Sequence, residues 1–272
     1  MIPLVCIDVD GTLVGPSGEV TDAVWEAVDA ALKRGQHLAL STARGAFAAS
    51  WTMAQRLDPD GWHVFHAGGA AVHTGDGAVR AHPLTREEID ICVEAAEKNE
   101  WILELYSATA YAVDSEEPFA VDHAKLIGVP FTRTDLGTFR RDAGEMVRAQ
   151  FVVPEADIAA VHALIDPTGL SVTSATSPIM PGAAFVSVTK PGVTKATGIA
   201  MICKELGVEM NQVMMIGDGL NDLPAIEAVG HPVAMGNAAP EVAEASRYRV
   251  ADVIHDGAAE ALQLSAELDP DS

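Results

Sequence analysis

The sequence predicts an α/β protein, a doubly wound parallel sheet whose chain is interrupted by an inserted α+β domain. Three observations carry this prediction. Short apolar runs alternate with helical patterns at both ends of the chain, the signature of βαβ units. The middle of the chain clusters strands and helices differently. Two of the apolar runs end in carboxylates beside glycine, as strands do where their carboxyl ends border a crevice. The 272 residues are enough for one large domain or two modest ones with a substantial core.

The elements follow in order. "IPLVCID" reads as a buried strand, and Thr21 to Arg34 as a helix closed by Gly35. "HLALST" is a second strand, and a second helix follows Gly45. His63 to His66 forms a further strand, and "TGDG" a tight hairpin turn in which glycine supplies positive φ. The capping box Thr85 to Glu88 opens a helix running to about Asn99. "WILELY", "YAVD", "MVRAQFVV" and "LSVTSAT" are strands, while "EPFAVDHAKLIG" and "EADIAAVHALID" are helices, making an insert of about 100 residues. After Phe185 the alternation resumes: a helix over Thr194 to Leu206 closed by Gly207, the strand "NQVMMIGD", and a helix over Leu223 to Val229. "HPVAMG", a helix after Pro240, "RYRV" and a final helix from Ala258 complete the chain. The expected boundaries are 1–84 and 184–272 for the parallel domain and 85–183 for the insert. No internal repeat and no low-complexity linker interrupts them.

Composition narrows the function. Hydrophobic residues at 49% and charged ones at 21% describe a folded chain. A formal charge of −22 with no Lys/Arg cluster repels a phosphate backbone, so nucleic acid is not an expected partner. A small anionic substrate needs a cation or a few placed basic groups to overcome that field. Cys6, Cys92 and Cys203 are too few and too scattered for a disulfide framework or a zinc site. The first residues lack a secretory pattern, and no apolar run nears the ~20 residues of a membrane span. A cytoplasmic protein without a membrane partner, monomeric or homodimeric, is expected.

The chemistry concentrates at strand ends. Asp8 and Asp10 follow "PLVCI" and precede Gly11; alone, such a pair also suits a turn with locally satisfied aspartates. A calcium loop counted from Asp8 fails, because its sixth position is Leu13 rather than glycine. "VMMIGDGLNDLP" ends a second strand in Asp218 and Asp222, which would bring three or four carboxylates into one crevice. A hard divalent cation would neutralise them, and Mg²⁺ is the usual choice where phosphate oxygens share the shell. "LALSTARG" offers Ser41, Thr42 and Arg44 to an anion at another strand end. Lys195 stands in the first turn of a helix, where a cation opposes the macrodipole; that local rule-breaking favours a functional role over a solvated surface lysine, while Lys190 stays structural. His63, His66 and His73 lack a chelating set. No serine-hydrolase elbow, P-loop or dinucleotide fingerprint is present.

With these motifs in order, the chain resembles the haloacid dehalogenase-type phosphatases, and among them the Cof-type sugar-phosphate hydrolases, with a Rossmann-like core and a large inserted cap. "IDVDGTL", "LSTAR", "VTKATG" and "GDGLND" are similar to the family's four motifs; "HPVAMGNAAPEV" and "DGAAEAL" resemble its C-terminal stretches. The resemblance implies that Asp8 is the nucleophile and Asp10 the acid/base, with Thr42 and Lys195 binding the phosphoryl group and Asn221 assisting. It implies Mg²⁺ held by Asp8, the Asp10 main-chain carbonyl and Asp218, with Asp222 in the outer shell, acting on a small phosphorylated metabolite. Three departures stand out: Ala43 replaces the usual glycine of the second motif, Gly68-Gly69 the usual Asn-Gly, and Ser187 an acidic residue. A phosphosugar mutase and a non-catalytic ligand-binding relative share the same motifs and are the alternatives.

Overall fold

The computed structural model describes residues 1–271 and divides into two compact units. One comprises Met1–Arg44, Met53–Arg80 and the chain from Thr194 onward, the other Gly45–Thr52 and Ala81–Val193. In chain order the first stretch gives β1 (Leu4–Ile7), α1 (Asp22–Lys33), β2 (His37–Leu40), α2 (Ala48–Leu57), β3 (Trp62–Phe65), β4 (Ala70–His73) and β5 (Val79–Ala81). The insert follows as α3 (Arg86–Asn99), β6 (Ile102–Ser107), β7 (Tyr111–Val113), α4 (Pro118–Leu126), α5 (Leu136–Asp142), β8 (Met146–Pro154), α6 (Ile158–Ile165), β9 (Ser171–Thr176) and β10 (Ala183–Thr189). The chain returns with α7 (Lys195–Leu206), β11 (Val213–Gly217), α8 (Leu223–Ala228), β12 (His231–Ala234), α9 (Pro240–Ala245), β13 (Tyr248–Arg249) and α10 (Gly257–Glu267).

In the first unit five parallel strands lie in the order β13-β12-β11-β1-β2. Both faces are covered, which explains why β1 and β11 are apolar throughout rather than alternating. Leu4, Cys6, Val213 and Met215 point to one face and pack with Ile199, Ile202 and Ile226 of α7 and α8. On the other, α10 meets β1 and β11 and packs along α1. Helix α1 buries Val24, Ala27, Val28 and Ala31, a single stripe at helical spacing. Strands β3, β4 and β5 make a separate three-stranded sheet, joined to β2 by an isolated bridge between Ser41 and Val64.

The second unit is an antiparallel sheet in the order β7-β6-β8-β10-β9. Leu105, Phe151 and Val186 face α3 and α6, packing on Cys92, Val161 and Ile165. On the opposite face Val152, Phe185 and Met180 pack with Phe119 and Leu126 of α4. Next to that apolar end, Glu104, Gln150 and Ser187 fall in one row across three strands. Glu104 is fully buried, and both oxygens of its carboxylate are engaged: His123 Nδ1 lies 2.7 Å from one, while the Tyr106 hydroxyl and Gln150 amide donate to the other at 2.6 and 2.8 Å. A carboxylate so buried is stable only when paired in this way.

The observed division corrects the expected one. Apart from Gly45–Thr52, which groups with the insert, the units part at 80/81 and 193/194, not at 84/85 and 183/184; the later boundary moves because β10 is zipped to both β8 and β9 and belongs to the inserted sheet. Pro181-Gly182 is the turn leading into β10. Among the described residues, no helix is long and apolar enough to cross a membrane.

Candidate active site

Within the first unit the carboxyl ends of β1, β2 and β11 meet the N-terminus of α7. Asp8 follows β1, Ser41 and Thr42 follow β2, Asp218 follows β11, and Lys195 is the first residue of α7 after the capping residue Thr194. Asp8, Thr42, Lys195 and Asp222 are all buried. Lys195 Nζ donates to Asp8 Oδ1 and to Asp222 Oδ1, each at 2.5 Å. The second oxygen of Asp222 accepts the main-chain amides of Asp218 and Gly219, both at 3.0 Å. Asp222 therefore fixes the lysine and the acidic turn together.

Asp218 is held from two sides. Its Oδ1 accepts the Thr12 hydroxyl at 2.8 Å, and its Oδ2 accepts from Asn237 Nδ2 at 3.2 Å. The same Asn237 nitrogen donates to the Gly11 carbonyl at 2.8 Å, stitching the two acidic strand ends to each other. Gly11 makes their approach possible: its φ is +91°, and a Cβ there would stand 2.2 Å from Asp218 Oδ2.

The charges do not balance without help. Burial pushes the Asp8 carboxyl up to about 7, with Lys195 pulling against it and Asp222 adding to it. Burial likewise raises the Asp218 carboxyl, opposed by the Thr12 hydroxyl. Burial also works against the Lys195 ammonium, but Asp8 and Asp222 outweigh it and hold the ammonium above the usual lysine value. One lysine thus faces three carboxylates. Asp8, Asp218 and Asp222 each place an oxygen within 4.8 Å of the others, an all-oxygen donor set that fits a hard divalent cation.

The second-motif strand end is clamped from outside. Thr42 N–H donates to the Val64 carbonyl at 3.0 Å, while the amides of Ala67 and His66 donate to the carbonyls of Thr42 and Arg44, both at 2.9 Å. That turn is strained, with His66, Ala67 and Gly68 all at positive φ (53°, 54° and 104°).

Not every expected residue joins the cluster. The Asp10 carboxylate is taken by the Arg44 fork, Nε at 3.0 Å and Nη2 at 2.5 Å, and its side chain is 64% exposed. Asn221 is exposed on the turn between Asp218 and Asp222. Conversely, the sequence analysis assigns no role to Thr12, Asn237 or the 66–68 turn. Thr12 lies inside "IDVDGTL" and Asn237 inside "HPVAMGNAAPEV", so the family-like stretches contain both, but neither residue type marks its role there.

A family model for haloacid dehalogenase-like hydrolases matches residues 5–262, and the chain belongs to that family. Several relatives that match most of its length carry phosphatase names. The chain is 26% identical to BT1666, a phosphatase of this superfamily from Bacteroides thetaiotaomicron, with a TM-score of 0.78 over 98% of this chain and 96% of that one. It shares the fold of BT4131, a sugar phosphatase of subclass IIB, at 23% identity and a TM-score of 0.75 over 97% and 99% of the two chains. It is also 23% identical to the HMP-PP phosphatase of Cronobacter sakazakii over 89% of this chain and 87% of the relative.

Proposed function

We propose that this haloacid dehalogenase-type phosphatase hydrolyses the phosphomonoester of a small metabolite, a sugar phosphate, using Mg²⁺ and an aspartyl-phosphate intermediate on Asp8. The observation that carries the reading is the buried Asp8–Lys195–Asp222 triangle with Asp218 beside it. The likeness to a sugar phosphatase of subclass IIB supports the substrate class.

In this reading an Asp8 oxygen bonds to phosphorus as the bond from phosphorus to the sugar oxygen breaks, and the departing oxygen takes a proton from Asp10. Water then attacks the same phosphorus, the bond to Asp8 breaks, and the water's proton passes to Asp10. Arg44 orients Asp10 through its fork. The Thr42 hydroxyl and the Lys195 ammonium hold the transferring oxygens, with Asn221 assisting from the turn. Asp8, Asp218 and the Asp10 main-chain carbonyl would hold Mg²⁺, with Asp222 behind them, and the bound ion would supply the positive charge that carboxylates and phosphate together require.

A panel of phosphorylated sugars, nucleotides and cofactors, assayed with Mg²⁺ and then with chelator, tests the reading. Phosphate release from sugar phosphates, abolished by chelator, is the expected result; an isomerised product that depends on a bisphosphate activator would replace it with a mutase. Asp8→Asn should retain the fold and lose roughly 10³-fold or more in turnover. Unchanged turnover in that variant removes the covalent mechanism.

A further inference from the structure

Strand β2 carries Thr42 at its end, yet it lies at the edge of the parallel sheet. Its inward amides are satisfied by the neighbouring strand's side, His37 N–H by Pro3 O and Ser41 N–H by Ile7 O, both at 2.9 Å. Alternation along a strand turns the amides of Leu38, Leu40 and Thr42 outward, where no strand of the same sheet receives them. Their partners come instead from the loop before β3 and from β3 itself. Leu38 N–H donates to Asp58 Oδ2 at 3.4 Å, Leu40 N–H to His63 Nδ1 at 3.1 Å, and Thr42 N–H to the Val64 carbonyl at 3.0 Å.

We propose that His63 is a positioning residue: its neutral imidazole stands in for a missing strand on the outer edge of β2 and so fixes where Thr42 presents its hydroxyl. This rests on the reading in which Thr42 binds the phosphoryl group. The tautomer follows from the partners. His63 Nε2 lies 3.0 Å from the Asp58 carbonyl, an acceptor only, so Nε2 carries the hydrogen and Nδ1 is free to accept from Leu40. The ring is fully buried, and burial pushes its pKa down to about 4, which keeps that tautomer uncharged. Consecutive residues, His63 by side chain and Val64 by carbonyl, serve consecutive outward amides of β2, so a shift of the ring carries the Thr42 partner with it. Ala67, in the turn that directly follows β3, closes the Thr42 carbonyl. Phosphoryl transfer tolerates little displacement of a group that binds the reacting oxygens.

The test separates the acceptor from the volume. His63→Phe keeps an aromatic ring without an acceptor, and His63→Asn keeps an acceptor near Nδ1; the Asp58 carbonyl retains the Thr74 hydroxyl at 2.8 Å in either variant. In folded His63→Phe the Leu40 and Thr42 amides should exchange with solvent about tenfold faster or more, and inorganic phosphate and substrate should bind about tenfold more weakly, the equivalent of one buried hydrogen bond. His63→Asn should restore both to within about threefold. Should His63→Phe fail to fold, His63→Leu takes its place in the comparison. Wild-type exchange and phosphate binding in the acceptor-free variant, or an equal loss in His63→Asn, overturns the proposal. Amide exchange is independent of turnover. A wild-type protein that released no phosphate would overturn the functional reading alone, and the Leu40 amide would still decide for or against His63.

Discussion

At the scale of the residue, the groups that carry chemistry are those whose local environment contradicts their type. Lys195 is buried at a helix start, Asp8 is buried among carboxylates, and His63 is a titratable ring kept neutral. His63 gives the cleanest pH prediction. Its folded-state pKa of about 4 lies below the ordinary 6.5, so the unfolded chain binds the extra proton first as pH falls. Its contribution is fully present above about pH 6.5 and is lost through about pH 4, where it amounts to about 3 kcal/mol. Other groups cancel in the difference between wild type and His63→Asn, apart from His73, whose charge acts on the same ring. The wild type's unfolding free energy relative to that variant, from urea titrations, should be flat above pH 6.5 and fall by about 3 kcal/mol toward pH 4. A difference constant across that range would show that the ring does not titrate as its burial requires. The exposed Asp10–Arg44 pair, by contrast, contributes little to stability, and its effect is expected in catalysis alone.

At the scale of the element, the sequence makes legible whatever one strand or helix decides by itself. The apolar runs before Asp8 and Asp218, the capping box of α3 and the misplaced charge of Lys195 are all local patterns, and each is found where it was expected. What depends on pairing between distant segments is not legible in this way. The alternation of "AAFVSVT" suits either sheet, and only its ladders to β8 and β9 decide for the insert. Asn237 acquires its role from contact with Gly11, more than 200 residues earlier. The 66–68 turn is a third case, since nothing in "HAGG" shows that Gly68 lies under the start of α7. A Cβ on Gly68 would stand 1.9 Å from the Thr194 carbonyl, at a φ of 104° that a side chain disfavours. Gly68→Ala should therefore cost about 2 kcal/mol or more and displace the first turn of α7, seen as a lower melting temperature with a larger loss in kcat than Lys190→Ala produces. Wild-type melting and turnover in Gly68→Ala would mean that the turn and the helix yield to each other easily.

For the whole molecule the governing quantity is charge. A chain with 39 acidic and 17 basic residues repels itself, and within it Asp8, Asp218 and Asp222 converge on one point. Monovalent salt screens the diffuse repulsion over about 10 Å at 0.1 M but cannot replace a ligand between buried carboxylates. The two contributions can therefore be told apart by comparing MgCl₂ with NaCl at matched ionic strength. Sodium should raise the melting temperature modestly in the wild type and in Asp218→Asn alike. A cation held between the three carboxylates would stabilise the native state and not the unfolded chain, so magnesium at a hundredfold excess over its Kd should add about 2.7 kcal/mol, or roughly 5 °C, to the wild type only. In Asp218→Asn, which leaves the diffuse charge almost unchanged and removes one of the three carboxylates, the magnesium response should shrink to that of matched sodium. Equal shifts from the two salts in the wild type would mean that Lys195 and protonation of Asp8 already balance the site, and that the convergence of three carboxylates does not serve a cation.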